Sequence, residues 1–276
     1  MSRKQRVEML IIDPQNDFCD PKGNLYVTGA DVDSLRLCNF IKKNIMSLND
    51  IHVTLDTHRE LDVAHPMFWI NKKGQNPPPF TLISNDDVVK GNWTPFNPNL
   101  KMPPYGTLQD RMIYYTKKLE ENGKYLLCIW PPHCKIGTWG HNVVTPIMSA
   151  LDEWEKKRYG VVDYVTKGSN IFTEHYSGVQ ADVPDPEDST TQLNMGLIQV
   201  LENADVILLS GQALSHCVAN TARDIFKNFG SDSLKKITVI IDTTSSVPGF
   251  EKMGEDFVEE AKSLGVNFAK STDIIL

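Results

Sequence analysis

Cys217 stands where the apolar run Val206–Leu209 gives way, past Gly211, to a helical pattern with Val218, Ala222 and Ile225 on one face. A thiol at a strand-to-helix turn is well placed for nucleophilic chemistry, because a helix amino end offers unpaired N–H groups and a positive partial charge that favour thiolate. Asp13 directly follows the apolar run Val7–Ile12, and Lys167 closes the run Val161–Val165. A carboxylate there can carry a proton, and an ammonium beside a thiol stabilises the thiolate. Each residue also has an ordinary reading: a small buried apolar group for Cys217, a turn residue before Pro14 for Asp13, a solvated charge for Lys167. Their joint placement is more informative. Parallel strands joined by right-handed crossovers bring their carboxyl ends to one edge, so residue types suited to thiol-mediated acyl transfer meet there.

A second group has metal-ligand character. The strand His52–Leu55 delivers Asp56-Thr57-His58, and side-chain alternation points Asp56 and His58 the same way. His65 follows after a short loop, and His133 lies in Trp130-Pro131-Pro132-His133-Cys134. One carboxylate and up to three imidazoles suit zinc, iron or manganese, with positions left for water or substrate. A satisfied Asp–His hydrogen bond accounts for the D-x-H pair equally well, and surface loops account for His65 and His133.

The elements that must hold these residues read as alternating strands and helices. Strands are expected over residues 7–12, 52–55, 125–130, 161–165, 206–209 and 237–241, with a short last one at 266–269. Helices are expected over 32–46, 107–121 with Thr107 as cap, 143–158, from Ser189 or Thr190 to 203, from 215, and 249–264. This is the pattern of a three-layer α/β/α, doubly wound, mostly parallel six-stranded sheet, one domain over residues 1–276. It is broken by an excursion at about 66–124, whose Pro-, Asn- and Gly-rich stretch 71–105 reads as a long structured loop or lid.

Composition narrows the function. With 276 residues, 41% hydrophobic, and net charge -7, the chain has the core of a globular protein and no basic footprint for nucleic acid. No apolar run approaches a membrane span, and the amino-terminal one is too short for a signal peptide. Five scattered cysteines, an odd number, point to a reducing cytoplasm.

On these motifs the chain resembles the isochorismatase-like cysteine hydrolases, and within them the nicotinamidases and pyrazinamidases. The resemblance rests on D-P-Q-N-D-F at Asp13–Phe18, D-x-H at Asp56–His58, W-P-P-H-C at Trp130–Cys134, K-G at Lys167–Gly168, Y-S-G at Tyr176–Gly178 and G-Q-A-L-S-H-C-V at Gly211–Val218. It implies a catalytic Asp13, Lys167 and Cys217, and metal ligands Asp56, His58, His65 and His133, zinc being the first choice of ion. It also implies a cis peptide at Gln212–Ala213, which aims the N–H groups of Ala213 and Cys217 at one oxyanion. Substrate contacts fall on Phe18, Trp130, Tyr176 and His216. The implied reaction is hydrolysis of nicotinamide to nicotinate and ammonia through a cysteine thioester, in NAD salvage, by a homo-oligomer. The alternative is another small amide, ureido or N-carbamoyl substrate. The chain departs from the family in the length between His65 and His133, in Ser215 where many relatives carry Asp, and in a stretched interval from Lys167 to Tyr176.

Overall fold

The computed structural model describes residues 5–121 and 125–276. Met1–Lys4 and the last residues of the excursion, 122–124, lie outside them. Six strands form the central sheet: β1 (Val7–Ile12), β2 (Asp50–Asp56), β3 (Asp163–Lys167), β4 (Val206–Gly211), β5 (Ile237–Ile240) and β6 (Asn267–Ala269). All neighbours pair in parallel, in the order β6-β5-β4-β1-β2-β3. Every residue of β1 is buried, as the apolar run requires of a strand covered on both faces. The winding reverses between β1 and β4. In an open α/β sheet that switch point leaves a crevice at the carboxyl ends of the strands.

Register fixes which residues border the crevice. Ile12 lies opposite Gly211, and Asp56 opposite Lys167. Gly211 has φ +110°, and a Cβ there would sit on the Ile12 backbone. No other residue lets β1 and β4 approach so closely. The helix Ala30–Asn44 (α1) packs on Thr145–Arg158 (α3), while Leu108–Glu121 (α2) belongs to the excursion. Thr107 caps α2 as expected, exchanging hydrogen bonds with Asp110.

Two expected elements fall differently. The run 125–130 is no sheet strand: only Leu127–Cys128 is extended, pairing antiparallel with Leu82–Ile83 outside the main sheet. The prolines at 131 and 132 have no N–H for a ladder, so the segment turns towards the crevice. The sixth place in the sheet goes to β6. The helix expected from Ser189 or Thr190 begins at Met195 (α4, Met195–Glu202), because Asn194 rather than either hydroxyl accepts the Leu197 N–H. The excursion is more than loop. Phe68, Trp69, Ile83, Leu108, Met112, Leu127 and Ile129 are among the residues of a second apolar cluster beside the main core. None of the described helices is long and apolar enough to cross a membrane.

At the opposite end of the sheet, fully buried Glu8 accepts from Arg6 Nε at 2.5 Å and pairs with His52 Nε2 at 3.1 Å, whose Nδ1 meets Asp163 at 2.8 Å. Burial opposes both charges, yet these bonds outweigh it, lowering the Glu8 carboxyl and raising His52. Glu8 therefore contributes stability above the ordinary glutamate range that is lost as pH falls through its depressed value. His52 contributes stability below its ordinary range that is lost as pH rises through its elevated one. Glu8→Gln is expected to cost on the order of 3 kcal/mol at pH 6, as when a buried ion pair loses a partner. Urea denaturation at pH 4 to 8 would check this, and a variant with unchanged midpoint at pH 6 would contradict it.

Candidate active site

Lys167 ends β3 and is buried to 2% exposure, so its ammonium must find partners inside the protein. It has them: Asp13 Oδ2 at 2.9 Å, Asp56 Oδ1 at 3.0 Å and the His175 carbonyl at 3.0 Å, with Cys217 Sγ at 3.7 Å. Its hydrogen bonds go to Asp56 Oδ1, the His175 carbonyl and Cys217 Sγ, and Asp13 Oδ2 completes the set as an ion pair. Asp13, with φ +47°, leaves β1 in a left-handed turn, and its Oδ1 accepts the Thr54 hydroxyl at 2.6 Å. Cys217 lies in a wide π-type turn, Leu214–Val218, ahead of the helix Ala219–Asn228 (α5). Such turns recur at functional sites. The Gln212–Ala213 peptide before it is cis, and Ala213 and Cys217 line one pocket.

Burial and the Lys167 charge act on the thiol in opposite directions. Burial pushes the Cys217 thiol well above its usual range; Lys167 pulls it down, but Asp13 and Asp56 push it further up. Burial also raises the Asp13 carboxyl, with Lys167 acting against it. A carboxyl raised in this way is the better proton acceptor.

Next to Lys167, the ligand atoms of Asp56, His58 and His133 lie within 4.8 Å of one another. His58 Nε2 is 3.0 Å and His133 Nε2 3.3 Å from Asp56 Oδ2. The other ring nitrogens are anchored: His58 Nδ1 by Asp62 at 2.9 Å, His133 Nδ1 by the Pro131 carbonyl at 2.9 Å, His65 Nδ1 by the Arg59 carbonyl at 2.9 Å. This outer hydrogen bonding is what orients metal-ligating histidines. His65 lies outside the closest set, its ring 5.1 Å from that of His58 and 5.4 Å from that of His133. Its buried Nε2 has no partner among the described residues, and burial holds the ring neutral, its pKa down at about 2. One carboxylate, inward Nε2 atoms and an orphaned imidazole nitrogen fit a divalent cation. Gly168, with φ +78°, leaves room here, since a Cβ would press on Asp56 and His58.

A small, narrow pocket joins the two groups, with Phe18, Trp130, Tyr176 and His216 in its wall beside Asp56, His133 and Cys217. The Trp130 indole N–H donates to the Tyr176 hydroxyl at 2.6 Å, and the Phe18 ring meets His133 edge-on at 5.3 Å. Tyr176 thus reaches the pocket despite the long interval after Lys167.

Sequence reasoning missed the supports. Gln15 clamps the Asp56 peptide, donating to its carbonyl at 2.8 Å and accepting its N–H at 2.7 Å. Asp17 accepts the Cys134 N–H at 2.6 Å, next to His133. Thr54 and Asp62 do the same for Asp13 and His58. The polar run Gln15–Asp17, directly after Asp13, was the available signal for two of them.

No protein-family model matches the chain. Over 259 residues, covering 94% of this chain and 97% of the relative, it is 24% identical to the nicotinamidase of Saccharomyces cerevisiae. The structure of the yeast nicotinamidase bound to the inhibitor nicotinaldehyde matches with a TM-score of 0.64 at 19% identity, covering 96% of this chain and 99% of that one. The zinc complex of Pyrococcus horikoshii pyrazinamidase matches with a TM-score of 0.56 at 18% identity, covering 96% and 99%. The fold is that of the nicotinamidase and pyrazinamidase structures, and the sequence resembles that of the yeast nicotinamidase along nearly its whole length.

Asp62→Ala should weaken binding of a divalent metal roughly 10- to 100-fold, as loss of an orienting carboxylate does elsewhere. Titration calorimetry with zinc and manganese would show it; affinity equal to the parent protein's would remove Asp62 from the site.

Proposed function

We propose that the protein is a cysteine amidohydrolase. Its substrate on this reading is nicotinamide, converted to nicotinate and ammonia, which makes the protein a nicotinamidase of NAD salvage. The observation that carries the proposal is one buried ammonium within 3.0 Å of both Asp13 and Asp56 and 3.7 Å from the Cys217 thiol. It supports an acyl-transfer centre and a cation site built as one unit.

Asp13 takes the Cys217 proton as the sulfur attacks the amide carbonyl, and Lys167 holds the charge that results. The N–H groups of Ala213 and Cys217 receive the oxyanion, an arrangement in which loss of one donor costs roughly 3–4 kcal/mol of barrier. Asp13 then returns its proton to the departing ammonia, and water hydrolyses the thioester. Asp56, His58 and His133, with His65 beside them, would hold a divalent ion, zinc by preference, which as a Lewis acid would help to position the substrate ring. Phe18 and Trp130 flank the ring. All five cysteines are free and buried, which supports a reducing, cytoplasmic setting.

Ammonia release from nicotinamide should exceed that from ureido and N-carbamoyl compounds under the same conditions. Cys217→Ala should bring it to background and Lys167→Met should lower kcat at least about 100-fold, as expected of groups that act on the reacting atoms. Hydrolysis of a ureido compound with nicotinamide untouched would replace the substrate; full activity in Cys217→Ala would remove the mechanism.

A further inference from the structure

Ser215 and His216 directly precede the thiol in the Leu214–Val218 turn, and neither takes part in the acyl chemistry above. Ser215 is completely buried. Its Oγ accepts the Val247 N–H at 3.1 Å and lies 2.8 Å from His216 Nδ1. Among the described residues these are its hydrogen-bond neighbours. A hydroxyl has one proton, and leaving a buried donor unmade costs more than a bond contributes. Val247 N–H is necessarily the donor in one contact, so Ser215 directs its own proton to the other and Nδ1 accepts. If Nδ1 carried the proton instead, the Ser215 hydrogen would be stranded.

We propose that Ser215 is a positioning residue that fixes His216 as the Nε2–H tautomer, so that the pocket wall presents a set hydrogen-bond donor to an acceptor atom of the ligand. His216 lines the pocket, and its Nε2 has no protein partner among the described residues. The ring cannot turn freely, because Phe250, Trp130 and Tyr176 pack against it with centroids 4.9, 5.2 and 5.4 Å away. Burial lowers the imidazole pKa to about 4, so the ring is neutral near pH 7 and the two tautomers are the states in question. A donor at that place favours ligands with an oxygen or heteroaromatic nitrogen facing it; the other tautomer would turn a lone pair towards the same atom. The ligand part of this inference rests on the amidase reading, whereas the tautomer does not.

Nitrogen-15 NMR of histidine-labelled protein at pH 7 reads the tautomer directly, the His216 signals being those lost in His216→Asn. The wild type should show the proton on Nε2. Ser215→Ala should lose that preference and raise KM for nicotinamide about fivefold, the effect of one neutral hydrogen bond, with kcat altered less than about twofold. Ser215→Thr, which keeps the hydroxyl, should restore both. A proton on Nδ1 in the wild type, or a Ser215→Ala protein with tautomer and KM unchanged, would overturn the proposal. The spectrum needs no substrate, so a protein that leaves nicotinamide intact would overturn the amidase reading alone and leave the tautomer to the NMR.

Discussion

One buried ammonium holds the site together. Lys167 brings a positive charge into the interior, where an unpaired charge is very costly, and the cost is offset only by close oxygens of opposite charge. Asp13 and Asp56 supply them from the ends of β1 and β2. Burial would lower the lysine, yet the carboxylates Asp13 and Asp56 hold it well above its usual range. The same pairing keeps the Asp56 carboxyl ionised: burial raises it, and His58 and Lys167 bring it far below. One cation thus fixes two carboxylates, and ties Asp13, the proposed proton carrier, to the Asp56, His58 and His133 cluster proposed to hold a metal.

That arrangement imposes its demands on the fold. Lys167 must cross the end of β2 to reach Asp13 on β1, which the Asp56–Lys167 register allows. The thiol must come from the far side of the switch point, which needs β4 tight against β1 and therefore Gly211 opposite Ile12. The Asp13–Phe18 segment then works as a unit. Asp13 faces the lysine, Gln15 pins the Asp56 peptide, Asp17 pins Cys134 beside His133, and Phe18 enters the pocket wall. The excursion reaches the same pocket indirectly, where Phe80 lies edge-on to Trp130 at 5.8 Å.

Much of this was legible in the chain. The unbroken apolar run Val206–Leu209 and the largely apolar Val7–Ile12, broken only by Glu8, identify central parallel strands, and a residue just past such a run lies at the sheet's carboxyl edge. The Asp13, Lys167 and Cys217 meeting follows from that rule. What was not legible depends on tertiary competition. Residues 125–130 have a strand's composition, but Pro131 and Pro132 bar them from the sheet. The tuning of the Cys217 thiol depends on burial and on two carboxylates against one ammonium, influences that position at a turn does not reveal. The choice of Asn194 over Ser189 as cap is likewise a matter of which side chain faces the first turn. Asp62 and Thr54 act through partners distant or offset in sequence, so only packing exposes them.

The proposed chemistry requires a covalent bond between the substrate acyl group and Cys217. Rapid quenching of the protein in acid during turnover of nicotinamide, followed by mass spectrometry of the peptide that carries Cys217, reads that bond directly. A nicotinoyl group on Cys217, absent in Lys167→Met and lost on alkaline treatment as a thioester is, is the predicted result. Turnover of nicotinamide with Cys217 unmodified at every quench time, and undiminished after the thiol is removed, would contradict it.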